Sequence, residues 1–273
     1  MTKEEEPTAL VIRGDCRRMR EVQDQTVQLV LTSPPYWNLV DFGAGPADLS
    51  AIRDKVAFFA ELNSVWRECY RLLRPGGKLV VEFEDIANGS RVYGHPREIC
   101  LVGDMVASVE AAGLELYSRL IWQKAKAGGG MRKVPYTCYG NLRGTNARIP
   151  SVYAYVFVFR KYDPTAATDR RTPDFTRQDW KQWAETVWHI ENPRSNFHGH
   201  PSVFPPELVR RLIRMYSYPG DLVLDPFAGV GTTLIAAAQL GRRTVGYEIH
   251  PTHWAVARDR LTETSREVER RAA

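Results

Sequence analysis

Val223-Leu224-Asp225-Pro226-Phe227-Ala228-Gly229-Val230-Gly231-Thr232-Thr233 reads as an apolar strand, a glycine turn and the first residues of a helix. Glycines at 229 and 231 let the chain turn tightly and bring backbone N–H groups and a helix N-terminus up to a ligand. The next apolar run, Arg243 to Glu248, ends in an acidic residue about 20 positions on, where a carboxylate can accept from ribose hydroxyls. Strand, turn, helix and strand in this order make a unit of a parallel sheet, with its ligand at the C-terminal strand edge.

Working outward, the same alternation continues. Downstream, Thr232 to Leu240 reads as a helix and Thr252 to about Val268 as another, with Ser265 to Ala273 expected to fray. Upstream lie the helix Pro206 to Tyr216 and the turn at Tyr218-Pro219-Gly220-Asp221. Earlier still, Val11 to Asp15 is a short strand ending in a turn, followed by a short polar helix and the strand Val27 to Leu31. Val56 to Leu73 has helical spacing and stops at Arg74-Pro75-Gly76-Gly77, and Lys78 to Phe83 follows as a strand. Arg97 to Ala112 reads as a helix, and Tyr117 to Trp122 and Val152 to Phe159 as strands. The fold class is therefore α/β, a mostly parallel sheet with helices on both faces.

A second motif closes the strand at Val27 to Leu31: Thr32-Ser33-Pro34-Pro35-Tyr36-Trp37. Two prolines cannot continue a ladder, so the chain leaves the sheet there with its backbone stiffened. A serine oxygen, the Pro34 carbonyl and the Tyr36 ring are thereby held at a strand's C-terminal end, parts suited to gripping a flat heterocycle by its exocyclic amine. The glycine loop supplies a reagent for such an amine. Its spacing is not GxGxxG, which disfavours a dinucleotide and fits a nucleoside with a small zwitterionic tail, S-adenosylmethionine.

Composition sets outer bounds. The chain has 273 residues, 44% hydrophobic and 25% charged, with a formal net charge of +5, a mild pointer toward a polyanion. No apolar run approaches a membrane span, and the acidic N-terminus is unlike a secretory signal. Cys16, Cys69, Cys100 and Cys138 form no CxxC pair, so neither a disulfide framework nor a zinc site is expected, and a reducing cytoplasm is the default. His189, His198 and His200 lack carboxylate or cysteine spacing, and no metal is expected.

Asp225 to Gly231 resembles the FxGxG cofactor motif of DNA amino-methyltransferases, and Thr32 to Tyr36 resembles their catalytic (D/N/S)PPY motif. The catalytic motif comes first, as in the circularly permuted beta group, and the likeness spans nearly the whole chain. It implies a Rossmann-like S-adenosylmethionine methyltransferase fold. Thr32, Phe204, Asp225, Phe227, Ala228, Gly229, Gly231, Thr232, Thr233 and Glu248 would hold the cofactor. Permutation would place the first strand beside the one ending at Glu248 and bring the termini together. Asp15 would then accept from the cofactor's adenine amine, with the Cys16 backbone at its ring.

Ser33, Pro34, Pro35 and Tyr36 would be catalytic, the Ser33 hydroxyl and Pro34 carbonyl accepting from the target amine and Tyr36 stacking on a base turned out of double-stranded DNA. In this family a serine at the first position goes mostly with cytosine N4; adenine N6 is the alternative. No cysteine follows a proline, so the nucleophile of C5 methyltransferases is missing. A catalytically idle DNA-binding protein, or transfer to RNA or a protein amide, are further readings.

The catalytic and cofactor-binding domain would comprise residues 1–160 and 197–273. The glycine-rich stretch 124–150 carries Lys124, Lys126, Arg132, Lys133, Arg143 and Arg148 and is assigned to DNA. Residues 161–196, with Trp180, Trp183 and Trp188 in the core of a small subdomain, would read the target. A cognate restriction endonuclease is a natural partner, and monomer and homodimer both remain open.

Overall fold

A computed structural model describes residues 9–37, 39–86, 90–95, 97–124, 151–166, 171–191 and 204–272. Its strands are β1 (Ala9–Arg13), β2 (Val27–Thr32), β3 (Leu73–Phe83), β4 (Glu115–Gln123), β5 (Tyr153–Arg160), β6 (Val187–His189), β7 (Leu222–Asp225) and β8 (Arg243–Glu248). The helices are α1 (Lys55–Leu72), α2 (Ser90–Tyr93), α3 (Val102–Glu110), α4 (Arg177–Trp183), α5 (Pro206–Tyr216), α6 (Thr232–Gln239) and α7 (Pro251–Ala272). The strands form one sheet in the order β1-β8-β7-β2-β3-β5-β4-β6. Only β5 runs against its neighbours, so every other strand delivers its C-terminal end to one edge.

Both faces are covered, as the alternation of elements requires. On one, Phe58, Leu62, Trp66 and Cys69 of α1 and Met105 and Val109 of α3 pack against Val30, Val81 and Phe83. On the other, Leu208, Leu212 and Ile213 of α5 and Ala236 and Ala237 of α6 cover Leu29, Leu31, Val80 and Val223. Ala257 and Leu261 of α7 pack on Leu234 and Val11. The strand β1 pairs with β8 in parallel, Arg13 opposite Glu248, and the Trp254 indole donates to the Val11 carbonyl at 3.1 Å.

Several local readings are corrected. The polar helix expected after Asp15 does not form, because α1 takes over its backbone groups: Glu68 accepts from the Met19 N–H, and Arg71 donates to the Met19 carbonyl. The glycine-proline stop does end α1, yet Arg74 to Gly77 lie within β3, bulged between two registers against β2. The helix expected from Arg97 begins only at Val102. Ile99 is held in a bridge to Ile86, and the Asp85 carboxylate receives the Leu101 and Val102 N–H groups at 2.6 and 2.9 Å. The final helix continues to Ala272 where fraying was expected.

The largest correction concerns residues 161–196. Their described part is no separate subdomain: β6 extends the sheet beside β4, and Trp183 and Trp188 share a core with Leu29 and Val223. Trp180 is 48% exposed and stacks on Phe175. Asp174 binds the Arg242 guanidinium, whose side chain is fully buried, at the start of β8. This tie lies at the sheet's N-terminal edge, opposite the edge where the motifs gather.

Candidate active site

The two motifs meet across a single cavity of about 550 Å³. Its wall on one side is Ser33, Pro34, Pro35 and Tyr36, just beyond β2. On the other are Asp225, Phe227, Ala228, Gly229, Thr232, Thr233 and Glu248. Asp15, Cys16 and Phe204 complete it. Thr32 and Gly231 do not line the cavity and act from behind its wall. Thr32 is fully buried and donates to Asp225 Oδ1 at 2.7 Å, tying the last residue of β2 to the last residue of β7. Gly231 has φ +84° at the start of α6, and a Cβ there would come within 3.2 Å of Ala257. A side chain at that position would push α6 and α7 apart.

On the serine side, one carboxylate that sequence reasoning missed organises the corner. The Ser33 hydroxyl donates to Glu82 Oε2 at 2.8 Å, and the Tyr36 hydroxyl donates to the same oxygen at 2.6 Å. A hydroxyl has one proton, so Ser33 is left with its lone pairs free to accept. Burial, with the charge of Glu82 beside it, pushes the Tyr36 phenol well up, so it remains a donor. The Tyr36 ring meets Phe83 edge-on at 4.9 Å between centroids. The signal in the sequence was an acidic residue inside the apolar run of β3, a type rarely buried without a partner.

On the glycine side, Glu248 accepts from the Gly229 N–H at 2.8 Å and the His250 N–H at 2.7 Å. Burial raises its carboxyl to about 7 despite those bonds. Burial likewise raises Asp225 to about 6, against hydrogen bonds from Thr32, Thr233 and the Phe227 backbone. Asp15 is engaged by Arg17, whose guanidinium also reaches Glu61 and the Ala47 carbonyl. Burial would raise the Asp15 carboxyl, but the Arg17 bonds and charge outweigh it and hold it below the usual range. Burial pushes the Cys16 thiol well up and leaves it an inert neutral group.

Six acidic residues line the cavity, Asp15, Asp48, Glu82, Glu84, Asp225 and Glu248, and no lysine or arginine is among the described lining residues. Such a lining repels a pyrophosphate and suits a nucleoside bearing a sulfonium and an ammonium. Residues between Leu39 and Leu49, with His250 and His253, form a further wall that no motif announced.

Of the residues assigned to DNA, Lys126, Arg132, Lys133, Arg143 and Arg148 lie outside the described residues, as do His198 and His200. Lys124 is described and turns inward to Glu84 at 2.9 Å and Glu82 at 3.7 Å. No group of residues suited to a metal occurs among the described residues, nor any helix long and apolar enough to cross a membrane.

Comparison with known proteins agrees with this geometry. A family model described as DNA methylase matches residues 27–259. The type II methyltransferase M.MjaI of Methanocaldococcus jannaschii is 29% identical over 272 residues, covering 88% of this chain and 86% of that protein. The crystal structure of TTHA0409 from Thermus thermophilus, complexed with S-adenosyl-L-methionine, superposes with a TM-score of 0.73 at 32% identity, over 93% of each chain. The PvuII cytosine-N4-specific DNA methyltransferase superposes with a TM-score of 0.67 at 19% identity, over 94% of this chain and 91% of that one, a likeness of fold. With a family match that runs from β2 into α7, the chain belongs to the DNA methylases.

Proposed function

We propose that this chain is a site-specific DNA methyltransferase that moves a methyl group from S-adenosylmethionine to the exocyclic N4 amine of a cytosine turned out of the duplex. The observation that carries the reading is the shared cavity, with a hydroxyl polarised by Glu82 on one wall and backbone donors paired with Glu248 on the other. S-adenosylmethionine, when bound, supplies a methyl group on a sulfonium that an amine can attack in line. Glu248 would accept from ribose hydroxyls, Asp15 from the adenine amine, and Asp225 would face the ammonium end near Phe204.

An exocyclic amine on a base is a weak nucleophile because its lone pair is delocalised into the ring. Ser33 Oγ and the Pro34 carbonyl accept from its two N–H groups and draw the nitrogen toward tetrahedral geometry. Ser33 can do so because its own proton is committed to Glu82. Once the nitrogen has gained a methyl group it must lose a proton, and the path from Ser33 Oγ to Glu82 Oε2 is already hydrogen-bonded. Tyr36 offers its ring to the base while Glu82 holds its hydroxyl. Positioning and electrostatics supply the rate, with no covalent intermediate on the protein.

Ser33 in the first motif position favours cytosine. The pairing of β1 with β8, which puts Gly14 N–H on the Glu248 carbonyl at 3.1 Å, supports the permuted beta-group order. DNA contact by residues 125–150 is supported by their charge and by their anchors. Lys124, just after β4, donates its backbone N–H to the carbonyl of Val152, just before β5, and its side chain meets Glu84 and Trp122 of the cavity lining. A role beside a restriction endonuclease fits this chemistry. The deciding experiment is to incubate the protein with labelled S-adenosylmethionine and unmethylated DNA, digest the DNA to nucleosides and identify the product by mass spectrometry. N4-methylcytosine supports the proposal. N6-methyladenine would move the target to adenine, and an unlabelled digest would end the methyltransferase reading.

A further inference from the structure

Glu82 occupies a poor place for a carboxylate. It lies in β3 between Val81 and Phe83, both fully buried, and is itself 3% exposed. Its Oε2 accepts from two neutral donors, Ser33 and Tyr36. Two neutral hydrogen bonds do not offset the cost of withdrawing a charge from water. The compensating charge comes from two strands away. Lys124, directly after β4, places Nζ 3.7 Å from Glu82 Oε1, the oxygen that the two hydroxyls leave free.

Lys124 is itself fixed from three sides. Its backbone N–H donates to the Val152 carbonyl at 2.9 Å, its ammonium bonds Glu84 Oε2 at 2.9 Å, and it lies over the Trp122 ring at 4.9 Å. Its side chain is only 20% exposed, so this cluster escapes much of the screening that weakens surface ion pairs.

We propose that Lys124 is a positioning residue for methyl transfer, holding Glu82 as a fixed acceptor so that Ser33 keeps its lone pairs toward the target amine. This rests on the methyltransferase reading above, and it replaces the assignment of Lys124 to DNA phosphates. A phosphate-contacting lysine points its charge outward, whereas this one already has two carboxylates in reach. The influence runs from Lys124 through Glu82 to Ser33, and Lys124 itself touches no part of the DNA. Loss of the ammonium therefore acts on the rate at saturation and not on DNA affinity.

The test is single-turnover transfer from labelled S-adenosylmethionine to unmethylated phage DNA, both saturating, alongside DNA affinity over a series of salt concentrations. Lys124→Met is expected to slow transfer about 30-fold or more, with the DNA dissociation constant and its salt slope unchanged. Lys124→Arg should restore most of the rate. A Lys124→Met rate within about threefold of the unaltered protein, with the salt slope reduced by about one, would make the residue a phosphate contact and overturn the proposal. Thermal melting checks folding. If Lys124→Met does not fold, Glu84→Gln loosens the lysine without removing its charge; about fivefold slower transfer supports the proposal, and an unchanged rate overturns it. Failure of the unaltered protein to methylate DNA would instead sink the methyltransferase reading, and this proposal with it.

Discussion

The two walls of the cavity are both built at the ends of parallel strands, yet they are stiffened by opposite means. Beyond β2 the chain turns through two prolines, which remove backbone donors and fix carbonyl directions, so this wall presents acceptors. Beyond β7 the chain turns through two glycines with φ of +53° and +84°, whose N–H groups are taken up by Glu248 and the Ala228 carbonyl, so that wall presents the Glu248 carboxylate on a tightly turned backbone. Each wall then recruits one carboxylate from a neighbouring strand: Glu82 of β3 accepts hydrogen bonds from side chains, and Glu248 of β8 accepts them from backbone. In the proposed reaction, an amine held by its hydrogens would meet acceptors on the first wall, and a nucleoside held by its ribose hydroxyls would meet the carboxylate on the second. The Thr32–Asp225 hydrogen bond is the seam between the two.

If the walls divide their tasks this way, substitutions should separate them. The largest effect is expected from Ser33→Ala: transfer about 10² to 10³-fold slower, with S-adenosylmethionine affinity by calorimetry within about twofold. Comparable loss of cofactor affinity would break the division. Glu248→Gln should do the reverse, weakening cofactor binding about tenfold while sparing the rate at saturating cofactor. A pH series sharpens that point. With Glu248 raised to about 7, it becomes the stronger, ionised acceptor only as pH passes that value, so affinity in the unaltered protein should rise five- to tenfold, roughly, from pH 6 to 8 and level off above. In Glu248→Gln the same series should be nearly flat. The linked stability runs the other way: the folded chain without cofactor holds a proton on Glu248 that the unfolded chain has released, so its stability falls as pH rises from 4.5 toward 7.

Tyr36→Phe keeps the ring and removes one donor from Glu82, and about a fivefold slower transfer is expected in the same assay. The smallest effect on chemistry is expected at the seam. Thr32→Val should cost about 1–2 kcal/mol in denaturant unfolding, because Asp225 loses a partner in a buried place, with little change in rate at saturation. A large rate loss in that variant would show that the walls are coupled and not merely adjacent.

Much of this division was legible in the sequence because it is local. Glycine and proline act through their own backbone, so the residues around 34 and 229 declare their turns without knowledge of the fold. The helix Pro206–Tyr216 and the strand Arg243–Glu248 carry strong periodicity between clear stops, and the structure keeps both bounds. What was not legible depends on partners distant in sequence. Residues 16–25 have a polar helical look, but Glu68 and Arg71 of α1 claim their backbone groups. Trp183 and Trp188 looked like a unit apart, because nothing local shows that β6 will pair with β4. Glu82 was passed over since its meaning lies in Ser33, 49 positions earlier. Lys124 was read by its charge among other basic residues, when its carboxylate partners sit on β3 and just beyond it.

The buried Arg242 has a consequence for how the molecule opens. A three-residue strand at the margin of a sheet ordinarily peels away on its own, and its amides exchange with solvent long before the core does. Here β6 is continuous with Trp183 and Phe175, and Asp174, next in line, is locked to a guanidinium at the foot of β8. Detaching the margin would leave that guanidinium without its countercharge in the interior. The slow-exchanging amides of this protein should therefore include Trp188 at the rim as well as the central strands, and the sheet should unfold across its width as one cooperative unit.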